Sequence, residues 1–304
     1  MFVAKYRKIF FIISSLLVIG SIAMMAVFGF NFGIDFKGGS LLEVSYGNVA
    51  RPSLESVQTN IDKLELGGYS VRPSGTDRFV VRTREINPKE KAELLSALSV
   101  DGKTLPKEER FNSIGPVVGN ELKNKAFVAI AVVILAIVCF VTFAFRKVSK
   151  PVSSWKYGFV TILALVHDVI VPTGVFILFS HYHGGEIDLL FVTAILAILG
   201  YSVHDTIVVF DRVRENLRIN NDSRNNEDFE ITVGKSVSQT FGRSINTSLT
   251  IFLVLVALYF IGGATTKNFA FVLLVGVIAG TYSSIFIASP LLISIQKFGS
   301  RKAK

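Results

Sequence analysis

Six blocks of roughly twenty apolar residues constrain this chain more than anything else in it. They cover residues 9–30, 126–145, 157–179, 187–210, 245–261 and 269–295. A helix rises about 1.5 Å per residue, so ~20 residues cross a hydrocarbon core of ~30 Å. The fifth block is short and the last is long, so the last tilts or runs on past the bilayer. Charged residues make up only 18% of the 304, against ~25% in an average soluble domain. An ordinary soluble enzyme is excluded, and the fold class is an α-helical polytopic membrane protein with six transmembrane helices. The first block follows Lys5, Arg7 and Lys8 as a signal peptide would. It is longer than a signal h-region and lacks a small-x-small cleavage site, so it reads as a retained anchor. The single cysteine, Cys139, lies in an apolar block. That excludes a disulfide scaffold and a cysteine-based zinc or iron–sulfur centre.

Lys and Arg set the expected orientation. Lys5, Arg7 and Lys8 precede the first span, and Arg146, Lys147, Lys150 and Lys156 lie between the second and third. Arg212, Arg214, Arg218, Arg224, Lys235 and Arg243 lie between the fourth and fifth, and Lys297, Arg301, Lys302 and Lys304 close the chain. The two short loops of the opposite side hold only Lys267. By the positive-inside rule both termini are cytoplasmic and residues 31–124 are external. The net charge of +9 is then a topology signal rather than a nucleic-acid footprint. The expected division is 1–30 for the N-terminus and first span, 31–124 for the external domain, 125–296 for spans two to six, and 297–304 for a basic tail.

The external segment reads as a small α+β domain. Residues 41–46 suit a strand. Ser53 opens a helix carrying Leu54, Val57, Ile61 and Leu64 at helical spacing, which Gly67-Gly68 stops. With Ser56 three residues after Ser53, no full capping box is expected. Residues 69–72 and 78–84 suit strands around a Pro-Ser-Gly-Thr-Asp turn. Asn87-Pro88 opens a second helix with Leu94, Leu95 and Leu98 as its buried stripe. Residues 110–114 suit a last strand. The order β-α-β-β-α-β is the ferredoxin-like split arrangement.

Ionisable residues inside the spans are the candidate functional groups. A carboxylate in a span costs ~2.5–3.5 kcal/mol on insertion scales and usually faces the bundle interior or water. Asp168 lies near the middle of the third span, and Asp205 about six residues from the cytoplasmic end of the fourth. Burial disfavours the ionised carboxylate and a nearby cation favours it. A group balanced between the two can load and release a proton. Arg243, at the cytoplasmic end of the fifth span, is the cation placed to pair with ionised Asp205 and to part from it when neutral. Each carboxylate has a plainer reading, as a hydrogen bond to a neighbouring helix. His167 projects ~100° away from Asp168 on a helix and reads as a hydrogen-bonding core histidine. His204 suits either a relay or polar packing. Asn246, Thr247 and Ser248 suit helix–helix hydrogen bonds or a water chain, and Gly276 and Gly280 suit close helix contact. Asp211, Arg212, Arg214 and Glu215 read as a solvated, ion-paired helix end. Asp35 and Lys37 sit at the outer boundary. Gly33, Gly38 and Gly39 suit a turn, because no Walker-type helix follows. Residues 220–230 read as a polar loop, leading into a short amphipathic helix through Val233, Val237 and Phe241 along the membrane surface.

Three stretches are more specific. The first is Phe-Gly-Ile-Asp-Phe-Lys-Gly-Gly at residues 32–39. The second is Gly-Tyr-Ser-Val-His-Asp-Thr-Ile-Val-Val-Phe-Asp-Arg from Gly200 to Arg212. The third is Arg-Ser-Ile-Asn-Thr-Ser from Arg243, with Gly276-x-x-x-Gly280-Thr-Tyr-Ser-Ser in the last span. With His167-Asp168, and with Gly115-Pro116, Gly119 and Glu121-Leu122 before the second span, they closely resemble the SecF family over essentially the whole chain. SecF is the partner of SecD in bacterial Sec protein export, in the cell inner membrane, and is related to the RND superfamily. The resemblance implies a pseudo-symmetric bundle with SecD. It also implies action beside the SecYEG translocon and its accessory proteins, and use of the proton motive force in late steps of preprotein translocation. It implies no cofactor, no nucleic-acid partner and no catalytic or ATPase chemistry, with the proton as coupling ion and sodium as the alternative. One departure stands out: His204 occupies a position where the family commonly carries Asn.

Other readings stay open. An intramembrane protease or metal hydrolase would use two His-Asp pairs. Adjacent residues on a helix diverge, however, and neither Gly-x-Gly-Asp nor His-x-x-x-His is present. Half of an RND-type small-molecule exporter would need a partner in the same way. A passive membrane assembly scaffold would tolerate Asp205→Asn.

Overall fold

A computed structural model describes residues 2–100, 102, 104–146, 152–223 and 227–302. Lys147, Lys150, Arg224 and Lys304, counted above for orientation, lie outside the described residues. In chain order the helices are α1 (Phe2–Lys5), α2 (Arg7–Phe28), α3 (Ile34–Lys37), α4 (Leu54–Asp62), α5 (Pro88–Ala97), α6 (Pro116–Ala144), α7 (Ser154–His183), α8 (Leu189–Asp222), α9 (Phe229–Ile261), α10 (Ala264–Ser283) and α11 (Ser289–Lys302). A π-helical turn, Ser284–Ala288, joins the last two. Among the described residues six helices are long and apolar enough to cross a membrane: α2, α6, α7, α8, α9 and the run Thr266–Phe298. The chain forms two compact units. One holds Phe32–Phe127 with Glu186–Leu189, and the other holds the remaining helices.

The smaller unit carries strands β1 (Gly39–Ser45), β2 (Ser70–Ser74), β3 (Arg78–Thr83) and β4 (Lys107–Ile114). Their order is β2-β3-β1-β4 with every neighbouring pair antiparallel. With α4 and α5 this is the ferredoxin-like split arrangement. Leu42, Val44, Phe79 and Val81 alternate along β1 and β3 and close a core with Val57, Ile61, Leu94 and Leu98. Such alternation places one sheet face under the helices. The Ser53 side chain accepts from the Ser56 backbone N–H and caps α4. The helix stops at Asp62, short of Gly67-Gly68, and the chain turns back through Glu65 at φ 49°. Asn87 and Glu90 form a full capping box on α5, a feature the sequence reading passed over. Pro73 and Ser74, expected in a turn, belong to β2.

Gly38 and Gly39 have φ of 78° and 123°, a region side chains other than glycine rarely adopt. A Cβ on Gly38 would come within 2.7 Å of Pro116 Cα, and one on Gly39 within 2.6 Å of the Thr83 carbonyl. The pair therefore lets the start of α6 and the end of β3 close against the entry of β1.

In the larger unit α7, α8 and the α10–α11 run bury about half of their apolar stretches, while α2, α6 and α9 bury little of theirs. One core gathers Val141, Phe145, Tyr157, Val160, Ala164, Phe210 and Leu292. The Phe145 and Tyr157 rings stack there, 5.0 Å between centroids. A second core joins Val209 and Val213 to Val233, Val237 and Ile293. This corrects the expectation of a separate amphipathic helix on the membrane surface. Residues 233–241 belong to the first turns of α9 itself, Val233 and Val237 are buried against α8, and Phe241 is exposed. Arg7 and Lys297 both pair with Glu230, tying α2 and α11 to the start of α9.

Candidate functional site

The apolar faces that bury α7, α8 and α10 also enclose two carboxylates. Asp168 on α7 is fully buried, and Asp205 on α8 is 6% exposed. Their surroundings differ. Asp168 Oδ2 accepts from the Ser202 hydroxyl of α8 and, at 2.7 Å, from the Ser283 hydroxyl of α10. His167 Nδ1 lies 2.8 Å from its Oδ1. The neighbouring side chains, expected to diverge, turn back toward one another through their rotamers. Among the described residues His167 Nε2 is buried without a hydrogen bond, and the ring stacks on Tyr282 at 6.2 Å between centroids. Asp168 thus meets three polar side chains and joins three helices.

Asp205 is held differently. The Ser244 hydroxyl of α9 donates to Oδ1 at 2.6 Å, Ser284 bears on the carboxylate as well, and among the described residues Oδ2 is buried with no hydrogen bond. Hydroxyls line the space around both carboxylates. Thr206 and Ser284 lie 2.9 Å apart. Tyr201 meets Ser248 at 2.5 Å and Thr281 at 3.1 Å, and Ser248 meets Thr281 at 2.6 Å. Each hydroxyl both donates and accepts, so the set can reorient around a proton. The π-helical turn at Ser284 begins beside these groups, and such turns recur at functional sites. Among the described residues no hydrogen bond joins the two carboxylates.

The remaining candidates fall in different places. Arg243 is exposed on α9; its charge bears on Asp205, and among the described residues no ion pair joins the two. His204 is exposed on α8 although its neighbour Asp205 is buried. Asn246 and Thr247 are exposed, whereas Ser248 is buried. The reason is helical phase. Val233, Val237, Thr240, Ser244 and Ser248 recur every three or four residues on the buried face of α9. That periodicity is the signal that marks Ser244, a residue the sequence reading left without a role. Ser202 and Ser283 lie within the two motifs of α8 and α10. Gly276 lies against Ile198, which a Cβ there would overlap, and a Cβ on Gly280 would stand 3.1 Å from Ser202 Cβ. Gly200 is exposed. Asp211 pairs with Arg214 at 3.0 Å, and Arg212 with Glu215 at 2.6 Å. In the smaller unit, Gly33 N–H donates to the Ile187 carbonyl, and Asp35 Oδ2 accepts from the Leu189 N–H, both at 2.9 Å. Among the described residues no three His, Cys, Asp or Glu side chains gather to hold a metal.

Comparison with known proteins adds independent observations. Residues 97–298 match the family model described as protein export membrane protein SecD/SecF, C-terminal, and residues 23–48 match the SecD/SecF GG motif. The chain is 42% identical over 305 residues to a protein translocase subunit SecF from Thermobaculum terrenum, covering 96% of this chain and 93% of that one. It is 38% identical over 288 residues to a protein translocase subunit SecF from Anaerolinea thermophila, covering 94% and 91%. A crystal structure of SecDF, a translocon-associated membrane protein from Thermus thermophilus, superposes with a TM-score of 0.81 at 28% identity. The match covers 97% of this chain and 38% of that longer one.

Proposed function

Because this chain belongs to the SecF family of protein-export membrane proteins, we propose that it works with SecD as an ion-driven subunit of Sec export. In this reading it uses the proton motive force to promote late steps of preprotein translocation beside the SecYEG translocon. The observation that carries the coupling role is Asp205, a carboxylate buried in a span with Oδ1 held by Ser244. Intramembrane carboxylates are expensive and mark ion pathways. A carboxylate with one oxygen left without a donor among the described residues suits a group that alternates between holding a proton and losing it.

Arg243, His204, Asn246 and Thr247 support the partnership. All four are exposed on the spans of this chain alone, and polar groups facing hydrocarbon are costly. A SecD bundle covering that face would remove the cost and bring Arg243 under cover near Asp205. Asp168, held by side chains of three helices, takes a supporting place. The basic ends of the spans support cytoplasmic termini, an inner-membrane location and an external smaller unit.

Release of a preprotein from vesicles carrying the protein with SecD and SecYEG tests this reading. A proton gradient should accelerate release in the wild type and leave Asp205→Asn unchanged. Replacing the proton gradient with a sodium gradient decides the coupling ion. Equal behaviour of wild type and Asp205→Asn under every gradient would leave a scaffold.

A further inference from the structure

As residue numbers rise on α8 they fall on α9. The contacts run from Tyr201–Ser248 through Asp205–Ser244 and Arg212–Gln239 to Asn216–Ser236 and Asn220–Thr232. The two helices are therefore antiparallel along this face, and one register accounts for these contacts. Past Asp205, toward the end of α8, they form a polar ladder. Arg212 Nε donates to Gln239 Oε1 at 2.6 Å. Asn216 Nδ2 donates to that same oxygen and to Ser236 Oγ, both at 2.8 Å. Asn220 Nδ2 donates to Thr232 Oγ1 at 3.0 Å. Arg212, Asn216 and Asn220 follow one another at four-residue steps and so share one face of α8. Beside the ladder the packing is apolar and repetitive. Val209 and Val213 of α8 cluster with Val233 and Val237 of α9. Each pair is spaced by four residues, so a slide of one turn, about 5.4 Å, would lay valine on valine again. Apolar burial is non-directional and does not choose between the two positions. Hydrogen bonds are directional, and a polar residue at a helix contact is an attested means of setting register.

We propose that Asn216, with Gln239 as its partner, sets the register in which the Ser244 hydroxyl meets Asp205. For its effect on export the proposal rests on the ion-driven reading above. Ser236 precedes Ser244 by eight residues on α9, ~12 Å along the axis. No proline interrupts α8 or α9, so the register fixed at the ladder is carried to the carboxylate. A slip of one turn takes the Ser244 hydroxyl out of its 2.6 Å contact with Oδ1. The Tyr201–Ser248 contact lies on the far side of Asp205, so the carboxylate is held from both sides. Asn216 and Gln239 are positioning residues here. They act through Ser244 and do not touch the coupling ion.

The test uses the full chain with SecD and SecYEG in vesicles. Asn216→Leu keeps the bulk of the side chain and leaves its partners satisfied. Ser236 Oγ still donates to the Thr232 carbonyl, and Gln239 Oε1 still accepts from Arg212. Gln239→Leu, at an exposed position, is the second variant and carries the test alone if the first does not accumulate. The infrared bands of Asp205, identified as those that Asp205→Asn removes, should shift in both variants as they do in Ser244→Ala. Gradient-driven release should slow at least about threefold. In a Ser244→Ala background neither substitution should move the bands further or slow release by more than about 1.5-fold, because the contact they position is already gone. Wild-type bands or wild-type release in both variants would overturn the proposal. So would effects that multiply with those of Ser244→Ala. Asp205→Asn releasing like wild type would instead overturn the ion-driven reading, and the bands would still decide whether the ladder places Ser244.

Discussion

The Ser244 hydroxyl donates to Oδ1 of Asp205 across 2.6 Å, while Oδ2 of the same carboxylate is buried and, among the described residues, without a hydrogen bond. Asn at this position keeps the shape and the acceptor facing Ser244. Asp205→Asn should therefore change stability by less than about 1 kcal/mol while abolishing the response to a gradient. Ser244→Ala takes away the donor that serves the ionised form. A hydrogen bond to a charged group is worth about 1.5–3 kcal/mol, so gradient-driven release should slow by about tenfold or more. Unfolding of the reconstituted protein, read beside preprotein release, checks both. A large stability loss in Asp205→Asn would assign the carboxylate to the fold.

Asp168 should behave in the opposite way. Its removal takes the carboxylate from His167 Nδ1 and Ser202 Oγ and leaves Ser283 Oγ with the Gly280 carbonyl alone. Breaking a buried charged network by deleting one partner costs about 3–5 kcal/mol. Asp168→Ala should lose that much in chemical unfolding and accumulate poorly in the membrane. An Asp168→Ala protein as stable as the wild type would show that the three side chains find other partners.

The spans were legible because hydropathy reports burial in lipid or protein without distinguishing them. The same averaging hid what lies at their ends. The first four turns of α9 carry Thr232, Ser236 and Lys235 among Val233 and Val237, and a window averaged over them reads as loop or surface helix. The split β-α-β-β-α-β order was legible from alternation and from Asn87-Pro88, whereas β2 ran on through Pro73 because an edge strand tolerates proline. At the site, Asp168 and Asp205 stood out as charges in apolar runs. Their donors Ser202, Ser244 and Ser283 did not, since serine is unremarkable in a span and only helical phase and the three-dimensional packing of α7 to α10 select these three.

Gly276 places α10 directly against Ile198 of α8. Gly276→Ala overpacks this contact, which costs about 1–3 kcal/mol when neighbours cannot shift. Ile198 is 1% exposed and has no room to retreat. Ile198→Ala in the same chain should recover part of the loss, and the recovery distinguishes a packing role from a loss of helix flexibility. Thermal unfolding of the two single variants and the double gives the coupling. Simple additivity of the singles would place the harm elsewhere.

Glu186 predicts a pH dependence of the smaller unit. Burial pushes its carboxyl above the usual range. Arg82 and Arg72 oppose the shift, Asp188 adds to it, and Lys37 opposes it weakly. A raised carboxyl holds its proton more tightly folded than unfolded. Its contribution is therefore fully present below the ordinary glutamate value of ~4.3 and is lost as pH rises through the higher folded value. Asp77 and Glu90 are held below their usual range, by Ser45 and Arg84 respectively. Their contributions are lost instead as pH falls, so the total profile mixes both signs. The difference between wild type and Glu186→Gln isolates the one carboxyl. Amide exchange of β3, followed from pH 4 toward neutrality, should show wild type losing protection relative to Glu186→Gln as the pH rises. A difference constant with pH would mean that Glu186 titrates alike in the folded and unfolded chain.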